Sequence, residues 1–358
     1  MWRALLLVTV TILSLDCCAG TESKRRVAKA DTKSEHGTAV LCSVPKGYAV
    51  GSVAWSPNGS RIAFVAARWR DDTDGGLSSN SVWVQSVPTI GSRPVRLVAL
   101  KRKGHGEGIA TVLFWLNNDR VGWATQDGLS YSFMQMGLRE REPKRLVSRS
   151  FGGTPCSDSI GGSAPNDVCY DANSRALVFS GSLAPAGVYV RVLRIRGGTV
   201  RSLSVPYPKG WSRSEGYLDA ATACGSLANP ARPVFYVAVW MTGYESERGG
   251  CYLWRSNSYS LKEDKAIVSF AHKSIAWPRV SPDGKRLAYA ENGQLVMHEL
   301  ESGKRTTLAK RAASGSPAGG WCPYSWSPDG RRIAYADGST IRIVRVVPVA
   351  APRKKSTR

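Results

Sequence analysis

Short apolar runs punctuated by turn residues recur along this chain, and three of them carry nearly the same words. "WSPNGSRIAFVA" occupies 55–66, "VSPDGKRLAYAE" 280–291 and "WSPDGRRIAYAD" 326–337. In each, an apolar stretch leads into Ser-Pro-Asp/Asn-Gly and a second apolar stretch leads out. Proline at the second turn position fixes φ for a type I turn, Asp or Asn tolerates the bridge conformation, and Gly accepts positive φ at the end. The serine hydroxyl can bond a backbone amide inside the turn. A cluster that looks like a metal loop or a nucleophile turn therefore predicts strand, turn and strand. In the last copy the pattern predicts strands at "PYSWS", "RIAYA" and "TIRIVRV".

The second strands, such as "RIAFVA", "ALVFSG" and "RLAYA", are apolar at nearly every position, where a sheet with one wet face would alternate. Both of their faces must be covered. Degenerate copies fill the interval between the first and second clear ones: "FWLNNDRVGWAT", "CYDANSRALVFSG" and "LANPARPVFYVA". Aligned on their aromatic anchors, the six units place Phe64, Trp123, Phe179, Tyr236, Tyr289 and Tyr335 in equivalent positions, 46 to 59 residues apart. A strand-rich repeat of this length predicts an all-β, six-bladed propeller of four-stranded antiparallel blades.

The "WSPDGxxIAY" unit, followed by a Gly-containing turn and a third strand such as "QLVMHEL", resembles the TolB-like, WD-like propeller repeat. The resemblance covers about residues 38 to 348 and implies the fold; it says little of activity. The sixth unit lacks a fourth strand, whereas "TAVLCSV", 38–44, precedes the first unit without a partner, so the N-terminal strand is expected to complete the last blade. Residues 21–37 form a basic flexible segment and 349–358 a basic tail, neither with a core-forming pattern.

Residues 1–20 read as a secretory signal, with Arg3, an apolar run from Ala4 to Leu15, and small residues at Ala19 and Gly20. The run is too short to span a bilayer. Leu15 stands three before Cys18, as a lipobox asks, but Asp16 and Cys17 fill positions where small uncharged residues are expected, which argues against a lipid anchor at Cys18. Export to the periplasm or beyond would place the remaining six cysteines in an oxidising compartment. In the blade assignment they fall on one rim, with expected pairs Cys156 with Cys169, Cys224 with Cys251, and Cys42 with Cys322.

Candidate chemistry is sparse. HExxH, a P-loop and a nucleophile elbow are missing, so no catalytic, cofactor or metal site is expected. The peptidases that share this repeat carry their catalytic groups in a separate α/β domain, for which no residues remain. Asp72 and Asp74 have DxD spacing, but the distal glutamate of a calcium loop is absent. Lys and Arg number 49 against 27 Asp and Glu, formally +22, which attracts polyanions. Export points that charge toward acidic glycan or cell-wall polymer and away from nucleic acid. The inserts at 68–80 and 241–250 project from the cysteine-bearing rim, making Trp69, Arg70, Asp71, Asp72, Asp74, Tyr244 and Glu245 the candidate binding residues. The expected function is an exported, non-catalytic scaffold for an envelope protein or polyanionic partner. The alternative is an enzyme acting on acidic polysaccharide, since some polyuronide lyases use related propellers with metal-binding histidines.

Overall fold

The computed structural model describes residues 37–69, 77–87, 93–101, 110–127, 130–147, 151–152, 167–171, 174–183, 187–197, 200–203, 205, 207, 216–226, 234–243, 249–256, 268–270, 275–291, 293–312 and 322–346. All belong to the compact unit Glu35–Arg358. The expected signal segment 1–20, the candidate lipid anchor at Cys18, residues 21–36 of the basic segment and the basic tail 349–358 lie outside the described residues.

Strand β1 (Ala39–Ser43) precedes β2 (Ala49–Trp55), β3 (Arg61–Trp69), β4 (Leu77–Ser86) and β5 (Val95–Lys101), and β2 to β5 pair antiparallel in chain order. The second sheet is β6 (Ala110–Asn117), β7 (Arg120–Asp127) and β8 (Ser130–Gly137), with the short β9 (Lys144–Arg145) and β10 (Phe151–Gly152) both on β8. The third runs β11 (Asp167–Asp171), β12 (Ala176–Leu183), β13 (Gly187–Arg194), β14 (Val200–Leu203). The fourth is β15 (Gly216–Ser226), β16 (Val234–Gly243), β17 (Gly249–Ser256) and β18 (Val268–Phe270). The fifth is β19 (Ile275–Val280), β20 (Arg286–Glu291), β21 (Gln294–Glu299) and β22 (Arg305–Ala309). The last is β23 (Tyr324–Trp326), β24 (Arg332–Asp337) and β25 (Thr340–Arg345), and β1 takes its outer place antiparallel to β25. Among the described residues the strands thus make six sheets.

Each apolar cluster lies between consecutive sheets. Ala63, Val65, Val121 and Trp123 join the first sheet to the second, Phe133, Leu177 and Phe179 the second to the third, and Val178, Phe235 and Val237 the third to the fourth. Tyr236 packs with Leu287 and Tyr289, Ala288 with Ile333 and Tyr335, and Ala334 with Ile62 and Phe64, so the last sheet meets the first. Sheets packed face to face in a closed series, with the first strands of five of them lining one cavity, are the antiparallel blades of a β-propeller, four-stranded except for the second, whose β8 carries both β9 and β10.

The second strands are buried on both faces, and the sides are specialised. In β3, β12, β20 and β24 the large side chains (Ile62 and Phe64, Leu177 and Phe179, Leu287 and Tyr289, Ile333 and Tyr335) face the preceding sheet. The alternate small ones face the following sheet: Ala63, Val178, Ala288 and Ala334. Trp123 in β7 obeys the same rule. Tyr236 breaks it, because Phe235 and Val237 face the preceding sheet and Tyr236 the following one. The alignment of this unit is therefore displaced by one residue, which in a strand exchanges the faces. The two prolines that rewrite its turn, Pro230 and Pro233, removed the marker that would have fixed the register.

The repeated turn has the geometry its residues ask for. Ser327 N–H donates to Arg332 O (2.9 Å), Arg332 N–H donates to Ser327 Oγ (2.9 Å), and the hydroxyl donates to Asp329 Oδ1 (2.5 Å). Ser281 with Asp283 and Ser56 with Asn58 repeat it. Burial alone would raise the Asp329 carboxyl, but the bonds from Ser327 and Arg331 N, with Arg332 nearby, hold it below its usual value. The motif also binds the next sheet. The guanidinium of Arg286 lies 5.3 Å from the ring centroid of Trp326, and that of Arg332 lies 4.8 Å from Trp55. Arg61, at the same motif position, donates to Asn118 O (2.7 Å) and Asp119 Oδ1 (2.9 Å).

Gly284 combines a positive φ of 69° with close approach: a Cβ there would stand 2.6 Å from Tyr236 Oη. Gly338 has φ of 60° with nothing near. Gly338→Ala should cost about 1 kcal/mol of backbone strain, and Gly284→Ala about 2 to 3 kcal/mol, because the collision adds to the strain. Urea unfolding of the two variants measures the difference, and equal losses would show that the inter-sheet contact at Gly284 is soft.

Candidate functional site

The first strand of a blade is the one nearest the propeller axis. Here β2, β6, β11, β19 and β23, with the turns that follow three of them, enclose a cavity of about 690 Å³. Pro57, Pro282 and Pro328 of the repeated turns stand at one end, and Trp55, Trp115 and Trp326 line the wall beside them. Two of these indoles tie sheets together. Trp115 Nε1–H donates to Ala54 O (3.1 Å), and Trp326 Nε1–H donates to Arg279 O (3.0 Å), each reaching the preceding sheet.

The cavity holds one ion pair among the described residues. Arg279 of β19 donates through its Nη1 to Asp167 Oδ2 of β11, two sheets away. Their side chains are only 18% and 9% exposed, so solvent screens the pair little. Arg279 is brought there by irregular backbone. The β19 to β20 ladder shifts register between Ala276 and Arg279, and Trp277 within that bulge takes φ of 50°. An indole in the left-handed region is strained, and Tyr324 donates its hydroxyl to Trp277 O, which helps hold it. Bulges of this kind re-aim side chains. Cys322 completes the group. Burial pushes its thiol up, with the positive charge of Arg279 opposing the rise and the negative charge of Asp167 adding to it.

The structure treats the sequence-derived candidates unevenly. Trp69 ends β3 opposite Leu77, while Arg70, Asp71, Asp72, Asp74, Tyr244 and Glu245 lie outside the described residues. Of the cysteine pairs, that of Cys156 with Cys169 also falls outside, because Cys156 is not described. Cys169 stands on β11 in the cavity wall. Cys224 and Cys251 are not brought together. Cys224 pairs with Tyr236 near the end of β15, and Cys251 is level with Trp240 near the start of β17, four residues further along and about 14 Å away on that count alone. A single rim for all six cysteines is therefore incorrect; β15 extends further than expected and carries Cys224 to the opposite end of the sheet.

Cys42 and Cys322 are separate buried thiols. Cys42 is opposite Ile341, Ile341 opposite Ala336, and Ala336 N–H donates to Pro323 O, so the whole width of the sheet separates β1 from the Cys322 backbone. Three strand spacings are about 14 Å, whereas a disulfide needs Cα atoms within about 7 Å. Burial pushes the Cys42 thiol up to about 12, which leaves almost no thiolate at neutral pH.

Asp167 and Arg279 escaped the sequence-based reading. A signal did exist: Arg279 precedes Val280 at the position held by Ala54, Phe114 and Ser325 in other copies, so a charge stands where the repeat is apolar or small.

No family model matches the chain, and no curated protein matches it. Among solved structures, the crystal structure of TolB from Acinetobacter baumannii aligns over 81% of this chain and 65% of that chain, with 13% sequence identity and a TM-score of 0.47. The chain therefore spans less than two thirds of that protein's length.

Asp167→Asn and Arg279→Gln should each cost about 2 to 4 kcal/mol, because each removes one member of a poorly solvated ion pair, and the double variant should cost less than their sum. Chemical denaturation of the four proteins gives the coupling, and strict additivity would show that the pair does not interact. Alkylation without reductant should leave Cys42 and Cys322 unmodified in the folded chain and label both after unfolding; a linked peptide containing the two would contradict this geometry.

Proposed function

We propose that the chain is an exported, non-catalytic, six-bladed propeller of the TolB-like kind that serves as a binding scaffold for an envelope protein or an acidic glycan. The observation that carries this reading is the pairing of a propeller fold with an excess of 49 basic over 27 acidic residues. The repeated Ser-Pro-Asp/Asn-Gly residues are engaged in turns and in joints between sheets, so they are not the source of an activity. Recognition of that partner falls to the inserts at 68–80 and 241–250. A basic surface draws polyanions by its long-range field, and that attraction weakens with salt. Export is supported by the apolar run and small residues of the first twenty positions.

The test has two arms. The immobilised chain is exposed to envelope extract at low and high salt, and the purified chain is titrated with oligogalacturonate and with a neutral oligosaccharide of equal length. The scaffold reading expects either a protein retained at high salt or saturable, salt-sensitive binding of the acidic oligosaccharide alone. Absence of both overturns it. Formation of unsaturated product from oligogalacturonate with added Mn²⁺ would also overturn it, in favour of a polyuronide lyase.

A further inference from the structure

We propose that the end of the propeller carrying the repeated turns is a docking surface for an anionic phospholipid bilayer. The strand registers bring the turns together. In each sheet the first strand ends, the second begins and the third ends at one margin, as where Arg332 is opposite Arg345 and Ala176 opposite Arg194. Neighbouring turns touch: Asn58 N–H donates to Asn118 Oδ1 (3.0 Å), the Arg286 guanidinium lies beside Gly330, and Tyr236 lies beside Gly284. Each of the six sheets presents an exposed cation at this end: Arg96, Arg139, Arg194, Arg255, Lys285 and Arg345. Asp119, Asp283 and Glu140, at the same end, are engaged by Arg61 (2.9 Å), Arg286 (2.9 Å) and Arg120 (2.7 Å), and the exposed Glu142 and Glu301 offset the six cations only in part. At the other end the exposed cations described are Lys46, Arg68, Lys310 and Arg311.

Three observations point to a bilayer rather than a polymer strand. The cations stand on separate sheets around the axis, so a planar array of head groups meets all of them, whereas one glycan strand would follow only a few. Val95, 69% exposed, lies between Arg93 and Arg96 at this end, and an apolar side chain flanked by cations suits the boundary between head groups and acyl chains. Both ends of the described chain are also here: β1 starts opposite Ile343, and β25 leaves through Arg345. The sequences joined to them carry Lys24, Arg25 and Arg26 before, and Arg353, Lys354 and Lys355 after, and basic clusters of this kind are drawn to anionic lipid. The inserts leave from the opposite end, where Trp69 is level with Leu77 and Thr242 with Gly249, so docking keeps them open to a partner. The inference uses the same basic excess as the scaffold reading but a different surface, so either can fail alone.

The experiment is sedimentation of the full chain with vesicles of phosphatidylcholine alone and of phosphatidylcholine mixed with phosphatidylglycerol, at low and high salt. The chain should bind the anionic vesicles at least about tenfold more tightly than the neutral ones, and high salt should remove most of the difference. Arg194→Gln combined with Arg345→Gln should weaken anionic binding about thirtyfold, taking roughly fivefold for each cation near such a surface. Lys46→Gln combined with Arg311→Gln removes the same charge from the other end, beyond the reach of a screened field, and should change binding by less than about threefold. Val95→Ser should weaken vesicle binding about threefold and leave binding of oligogalacturonate as it was. The proposal is overturned if neutral and anionic vesicles are bound alike, or if the two double variants lose the same affinity. It is also overturned if oligogalacturonate binds through Arg194 and Arg345 while anionic vesicles are not bound.

Discussion

The joint between neighbouring sheets governs this molecule. Except at the fourth sheet, where Tyr236 faces onward, a sheet offers the small residues of its second strand to the next one along the chain and receives that neighbour's large side chains in return. Phe64 and Ile62 meet Ala334 and Ala336 where the last sheet meets the first, and Tyr335 and Ile333 meet Ala288 and Ala290 one joint earlier. The asymmetry is directional, so the same arrangement applied at every step carries the chain around an axis and ends where it began. The addition of β1 to β25 then pairs an edge that would otherwise stay open. Around that apolar contact, the arginine of a repeated turn reaches across to the next sheet, as Arg332 does over Trp55.

This arrangement explains why the fold was legible. A repeat that must fit against copies of itself cannot vary its turn or its alternation freely, and Ser-Pro-Asp-Gly followed by "RIAYA" records both constraints in a dozen residues. The closing role of 38–44 followed from counting strands. The pattern loses its phase at Tyr236. Without the turn marker, an aromatic residue next to two other large side chains, Phe235 and Val237, can be assigned to either face, and the chosen assignment put it on the wrong one. Without that marker the extent of β15 is also hidden, so the strand carries Cys224 to the opposite end of the sheet from the expected rim. Blade order alone cannot reveal that Cys42 and Cys322 stand at opposite margins of one sheet, too far apart to pair.

The candidate site was hidden because it lies where the repeat is least regular. Four of the first strands, β2, β6, β15 and β19, shift register against their second strands. A sequence pattern of period two loses its phase at each shift, so the residues turned toward the axis could not be listed in advance. Charge was the one signal that survived the irregularity, and only at Arg279 did it stand clearly apart from the other copies.

Regular and irregular strands have different tasks in this propeller. The second strands β3, β12, β20 and β24 alternate large and small side chains, because a single slip would exchange large for small at two joints together. The first strands border a cavity, and they are free to bulge. In β19 that freedom turns Arg279 inward, while β11 pairs with β12 without a shift from Asp167 to Asp171 and presents its carboxylate from the other side. The ion pair thus depends on one strand departing from the repeat and another keeping to it. A site of this origin can change its ligand by substitution in the first strands without disturbing the joints, which is why the fold is so much easier to recognise than the function.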